Sequence, residues 1–277
     1  MRKRFVSPPV IIIGMHRSGT SLVSRLLEKM GVFLGSAKDH YNESICFQVL
    51  NEQLFLLDNC RWDDVDRLSS FLHDGYRKWR AARIVESIVD ERFIQLFWGD
   101  SGMEQEAPLV PAVPGWGFKD PRNTFTLPVF LERFPDARVI HVIRNGIDVA
   151  ASLWTRETTR PEGSLHPHYS PLCQELEGCL MLWKCYVKRA LAYAENDVDI
   201  HELFYEDLLE NPQEPIVRLA DFLGVSATAG LKAAPAMINR GRRYSYRNEP
   251  FFFDFAQKAK MDPLMTQLYE GKMTDVY

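Results

Sequence analysis

The segment Gly14-Met-His-Arg-Ser-Gly19-Thr-Ser21 fits the pattern G-x-x-x-x-G-x-[ST]. Between a strand and a helix, such a turn aims backbone N–H groups and a helix N-terminus at a phosphate. The position after the second glycine, where a nucleoside triphosphatase carries its phosphate-binding lysine, holds Thr20, and the cation has moved to Arg17. With no second acidic motif for magnesium, transfer or hydrolysis of a terminal phosphoryl group is poorly supported. Glycine-rich strand-to-helix turns also serve close packing alone, so the residues by themselves leave both readings open. Lys119, in Gly117-Phe-Lys-Asp-Pro-Arg122, follows a short strand-like run. It falls at the sheet edge where open α/β folds gather ligands. There it can stabilise a transferring group, or it and Asp120 can pair with neighbours to fix the strand end. His166-Pro-His168 with Cys173 lacks a clear fourth ligand and reads as a loop, so no metal is expected.

The elements that must position these groups follow from hydrophobic spacing. Val10-Ile-Ile-Ile13 is a β-branched run ending in Gly14, as in a strand buried on both faces. Leu22, Val23, Leu26, Leu27 and Met30 then recur at helical spacing, with Gly31 at the stop. A second unit runs from the strand 137–144 into a helix marked by Ile147, Ala150, Ala151 and Trp154. Asn145 is its expected cap, with Asp148 as a weak capping box. Residues 116–119 and 199–204 predict further strands, while 43–59, 76–98 and Leu172 to Leu191 predict packing helices. Strand–helix alternation predicts an α/β fold of three layers, P-loop-like, with a central, mostly parallel sheet flanked by helices. No composition shift divides the 277 residues, so one domain is expected, with a helical insertion at about 40–112. Proline- and glycine-bearing loops at 108–117 and about 157–171 are expected to border an acceptor site.

Composition narrows the class. With 46% hydrophobic and 25% charged residues the chain has the make-up of an ordinary globular protein, not a disordered or fibrous one. A net charge of −4 argues against coating nucleic acid or an anionic membrane, so no nucleic-acid partner is expected. Five cysteines without a C-x-x-C pair suit a reducing compartment. The basic start runs into Pro8 and Pro9 instead of an export signal, and no window reaches the length of a membrane helix; the expected location is the cytoplasm, without a membrane anchor.

Taken together, the motifs resemble the sulfotransferase family, whose donor is 3′-phosphoadenosine 5′-phosphosulfate (PAPS). Arg17-Ser18-Gly19-Thr20-Ser21 is similar to the family's 5′-phosphosulfate loop, in the arginine form found in bacterial and glycan-modifying members. Arg144 and Ser152, eight residues apart, are similar to the pair that holds the 3′-phosphate, and a guanidinium fork suits that role. Leu203-Phe-Tyr-Glu-Asp-Leu208 resembles the stretch that sets Tyr205 against adenine. Arg240, Gly241 and Arg242 stand where the family closes a loop over the 3′-phosphate, although the aromatic and acidic residues after the glycine are absent. The resemblance implies sulfuryl transfer, which needs positioning, charge stabilisation and removal of a proton from the acceptor, and no metal. It implies Glu43 as the base, with His40 second, in an imperfect register because Asn42 separates Tyr41 from Glu43; a capping role for Glu43 is the alternative. Lys119 and Arg17 are the implied stabilising cations. A hydroxyl of a carbohydrate, glycolipid or small metabolite is the expected acceptor. The rivals are a P-loop kinase of nucleotides or small molecules, and a PAPS-binding protein without activity.

Overall fold

The computed structural model describes residues 8–99, 115–159, 169–195 and 198–269. Five strands, β1 (Val10–Gly14), β2 (Val32–Phe33), β3 (Gly115–Lys119), β4 (Arg138–Ile143) and β5 (Ile200–Phe204), form one sheet in the order β2-β3-β1-β4-β5, with every neighbouring pair parallel. The chain builds outward from β1 to one side through β2 and β3, then to the other through β4 and β5. β1 therefore lies at the switch point, beyond whose carboxyl end α/β folds bind ligands.

The two faces of β1 explain the layers. Successive side chains of a strand point to opposite faces. Ile11 and Ile13 join a cluster with the helices α2 (Ile45–Leu57), α4 (Gly75–Ile88), α6 (Asn123–Arg133), α7 (Gly146–Thr158) and α8 (Leu176–Ala194). Short helices α3 (Val65–Ser70) and α5 (Glu91–Trp98) extend that layer. Val10 and Ile12 join a second cluster with α1 (Thr20–Lys29), α9 (Tyr205–Glu210), α10 (Gln213–Leu223) and α11 (Thr228–Met237). Ile11, Ile12 and Ile13 are 0% exposed, and burial of each contributes about 1.5–3 kcal/mol. Helices α12 (Phe253–Lys260) and α13 (Pro263–Tyr269) close the described chain against the first cluster.

Several expectations change. The helix expected at 76–98 is two, because Asp90 breaks the run and caps α5 through Phe93 N–H. The 43–59 helix begins only at Ile45. Leu172 belongs to a separate 3-10 turn, Pro171–Gln174, ahead of α8. Asn145 does cap α7, its Oδ1 accepting from Ile147 and Asp148 N–H, but Asp148 makes no capping box. The N–H of Asn145 goes instead to Glu206 Oε1 at 2.9 Å, and Asp148 Oδ1 accepts from Ser245 Oγ and Tyr246 N–H. Residues 108–114, the loop 160–168 and, with it, His166 and His168 lie outside the described residues.

Glu206 also receives the hydroxyl of Tyr269, at 3.1 Å, and burial pushes its carboxyl up to about 7. A native carboxyl that keeps its proton to about 7 binds more protons than the unfolded one between about 4.3 and 7, so this group makes stability fall as pH rises through that window. In Glu206→Gln the slope is removed. Its melting temperature, measured against the native protein, is expected to gain from pH 5 to about pH 7 and to level off above it; a gain that shrinks over that range would contradict the assignment.

Candidate active site

The predicted turn joins β1 to α1 as the spacing implied. Gly14 has φ +140°, and a Cβ there would sit 2.6 Å from the Val142 carbonyl of the neighbouring strand. Arg17 takes the left-handed region at φ 68°. Gly19, the N-cap of α1, has φ 96° and no side chain caps the helix start, so its first N–H groups face the cavity above. A Cβ on Gly19 would lie 2.2 Å from the Tyr205 ring. Gly19→Ala therefore combines a forbidden φ, costing about 1–3 kcal/mol, with a clash against a buried ring. Thermal unfolding should show a clear loss of stability in that variant; a wild-type melting temperature would refute the contact.

The hydroxyls of Ser18 and Ser21 point into the protein. Ser18 Oγ donates to Met15 O at 2.6 Å and Ser21 Oγ to Tyr41 O at 2.7 Å, so their hydroxyls are spent on holding the turn. Ser18 N–H is also spent on Met15 O and Ser18 does not line the cavity, so what the turn offers a ligand is the backbone of Gly19, Thr20 and Ser21.

The second group in the site is a buried ion pair that local spacing did not reveal. Lys119, at the end of β3, donates from Nζ to Glu43 Oε1 at 2.9 Å and to Tyr41 O at 2.7 Å. Glu43 is 4% exposed. Asp39 places it: its Oδ1 accepts from Tyr41 and Glu43 N–H, and Gln48 donates to both carboxylates. Glu43 does not cap α2, whose N-cap is Ser44. Burial raises the Glu43 carboxyl; Lys119 opposes that without cancelling it, and the result is about 7. Asp120 is a partner of Arg122, at 2.9 Å, and Arg122 reaches Glu52. Burial raises Asp120 as well, but the Arg122 pair prevails and its carboxyl is lowered. His40 is exposed at the cavity wall with its ring against Tyr41.

Arg144 is buried at the end of β4. Its Nη1 donates to Arg17 O and its Nη2 to Arg242 O, each at 3.0 Å, and Asp148 lies 3.4 Å away. Its Nε is buried without a hydrogen-bond partner among the described residues. The guanidinium lies over the Tyr205 ring, 4.9 Å from ring centre. Tyr205 is thus held between Gly19 and Arg144, and only part of it meets the cavity. Ser152 Oγ accepts from Arg17 Nε at 2.9 Å. Of the expected 240–242 cluster, a 3-10 turn, Arg242 lines the cavity and Arg240 and Gly241 do not; Asn239, whose Oδ1 accepts from Gly241 N–H, lines it too.

The cavity measures about 350 Å³. Two further arginines that the motifs did not single out, Arg25 on α1 and Arg156 on α7, line it. Spacing held a signal for both: Arg25 is one helical turn after Ser21, and Arg156 one turn after Ser152. Among the described residues no group of three or more His, Cys, Asp or Glu is arranged to hold a metal, and no helix is long and apolar enough to cross a membrane.

A parallel sheet with a glycine turn at its switch point, an uncapped helix start and arginine in place of the phosphate-binding lysine define a P-loop-like α/β transferase. The chain belongs to the sulfotransferase family: the model described as "Sulfotransferase family" matches residues 8–229. It is an enzyme of that class. Among solved structures it resembles sulfotransferase STF9 from Mycobacterium avium, at 17% identity over 98% of this chain and 78% of that one, with a TM-score of 0.51. It also resembles a sulfotransferase from Alicyclobacillus acidocaldarius, at 19% identity over 80% of this chain and 83% of that one, with a TM-score of 0.47. At such identities the first likeness speaks for the fold. No curated protein matches the chain.

Proposed function

We propose that the enzyme transfers the sulfuryl group of PAPS to a hydroxyl of a carbohydrate, glycolipid or small metabolite. The observation that carries this reading is the convergence of the uncapped α1 start and the guanidinia of Arg17, Arg144 and Arg242 on one cavity, beside the buried Glu43–Lys119 pair. The donor set suits a doubly phosphorylated nucleotide: N–H groups at the turn, and a buried Arg144 Nε with no acceptor of its own. In this reading Arg17 and the N–H groups of Gly19, Thr20 and Ser21 hold the 5′-phosphosulfate end, while Ser18 braces the turn through Met15. Arg144, Ser152 and the 240–242 turn, chiefly through Arg242, hold the 3′-phosphate. Tyr205 walls the nucleotide and keeps Gly19 and Arg144 in place.

Glu43 takes the acceptor's hydroxyl proton while that oxygen bonds to sulfur and the bond from sulfur to the 5′-phosphate oxygen breaks. Lys119 and Arg17 offset the negative charge on the transferring and leaving oxygens. His40, at the cavity wall, is the second candidate base.

Calorimetry with adenosine 3′,5′-bisphosphate and with ATP tests the donor. Tighter binding of the bisphosphate is expected, and a preference for ATP would overturn the reading in favour of a kinase. A screen with radiolabelled PAPS against sugars, lipids and hydroxylated metabolites then separates an enzyme with this donor from a protein that only binds it. Transfer of label is the expected result.

A further inference from the structure

Arg156 has no part in the donor-holding set above, and its surroundings point to a second anion. Along α7 the order is Arg144 at the entry, Ser152 in the second turn and Arg156 in the third, roughly 15 Å from the helix start at 1.5 Å per residue. Arg17 accepts Arg144 at its carbonyl and donates to Ser152, so it stands between the other two arginines. The row of cations thus continues to Arg156, one helical turn past Ser152.

Arg156 is fixed in place. Its Nε donates to Glu157 Oε1 at 2.7 Å, and its guanidinium lies 5.3 Å over the Trp62 ring, which packs against His16. Its Nη2 is buried and meets no hydrogen-bond acceptor among the described residues. Buried charged donors are costly to leave unmet and mark a place for an ion. Burial lowers the proton affinity of Arg17, and the nearby charge of Arg156 lowers it further, ahead of Arg144 and Arg242. Two guanidinia on one cavity wall repel until an anion lies between them.

We propose that Arg156, backed by Trp62 and His16 and next to Arg17, forms a second oxyanion subsite in the cavity, so that the hydroxyl acceptor itself bears a carboxylate, sulfate or phosphate group. The proposal rests on the PAPS reading, in which Arg17 holds the 5′-phosphosulfate and Arg156 is left without a donor anion.

Equilibrium dialysis of the PAPS-saturated protein against labelled sulfate, and separately labelled acetate, tests it, because the donor already fills the transfer position. One anion per chain is expected, the two labels distinguishing a tetrahedral from a planar oxyanion. R156Q should weaken its binding about tenfold or more, R156K should restore most of it, and PAPS affinity should stay within about threefold. In the native protein, the same anion should slow phenylglyoxal modification of Arg156, a readout that does not depend on a variant folding. No retained sulfate or acetate in the loaded native protein, equal retention by R156Q, or no protection of Arg156 overturns the subsite. Failure of PAPS to bind, read before any anion is added, overturns the donor reading and the subsite with it.

Discussion

Arg144→Ala is expected to weaken binding of adenosine 3′,5′-bisphosphate by about 100-fold, the loss that follows when a buried charged donor to a phosphate is removed. Three contacts go at once: the Arg17 carbonyl, the Arg242 carbonyl and the Asp148 carboxylate each lose their partner. Leaving Asp148 buried without its cation should also cost about 3 kcal/mol or more of stability. Two effects therefore need separating. Adding Asp148→Asn to the variant relieves the uncompensated charge and should recover much of the melting temperature without recovering ligand affinity. Calorimetry on the pair decides: affinity that returns with stability would make Arg144 a structural brace alone.

Glu43→Gln should leave bisphosphate affinity within about threefold and lower turnover by about 100- to 10,000-fold, the range of a lost general base. The amide oxygen can still accept from Lys119, so the packing around Nζ is preserved. In the proposed mechanism the base works only without its proton, and burial raises the Glu43 carboxyl to about 7. The pH profile of kcat/KM should therefore climb about tenfold per unit below that value and level off above it. The Gln variant should lose the rising limb. Unchanged turnover would transfer the role to His40.

The architecture was legible where the pattern was local. A run of three isoleucines between Val10 and Gly14 can only be a strand buried on both faces, and the glycine spacing after it announces the turn. β2 was not legible, since two residues carry no period. The Asp90 cap was present in the sequence but hidden inside a continuous apolar pattern. At the site, Arg17, Arg144 and Glu43 were singled out from the sequence and line one cavity, but what each touches was not legible. Lys119 and Glu43 are 76 residues apart, and their pairing depends on how β3 ends beside the 39–43 turn. The motif named Arg240, Gly241 and Arg242 together, yet the 3-10 turn presents only Arg242 of the three to the cavity. Arg156 belongs to no motif; it enters only because α7 keeps one face toward Arg17 for three turns.

The family match stops at residue 229, but the cavity does not. Arg144 relies on the carbonyl of Arg242, Asp148 on Ser245 and Tyr246, and Glu206 on Tyr269. Anyone excising this enzyme as a module, fusing it or transplanting it into another chain should therefore cut after 269 and not at the edge of the shared homology. The last forty residues of the described chain lie beyond the family match, and they are where the cavity beneath Arg144 is fastened shut.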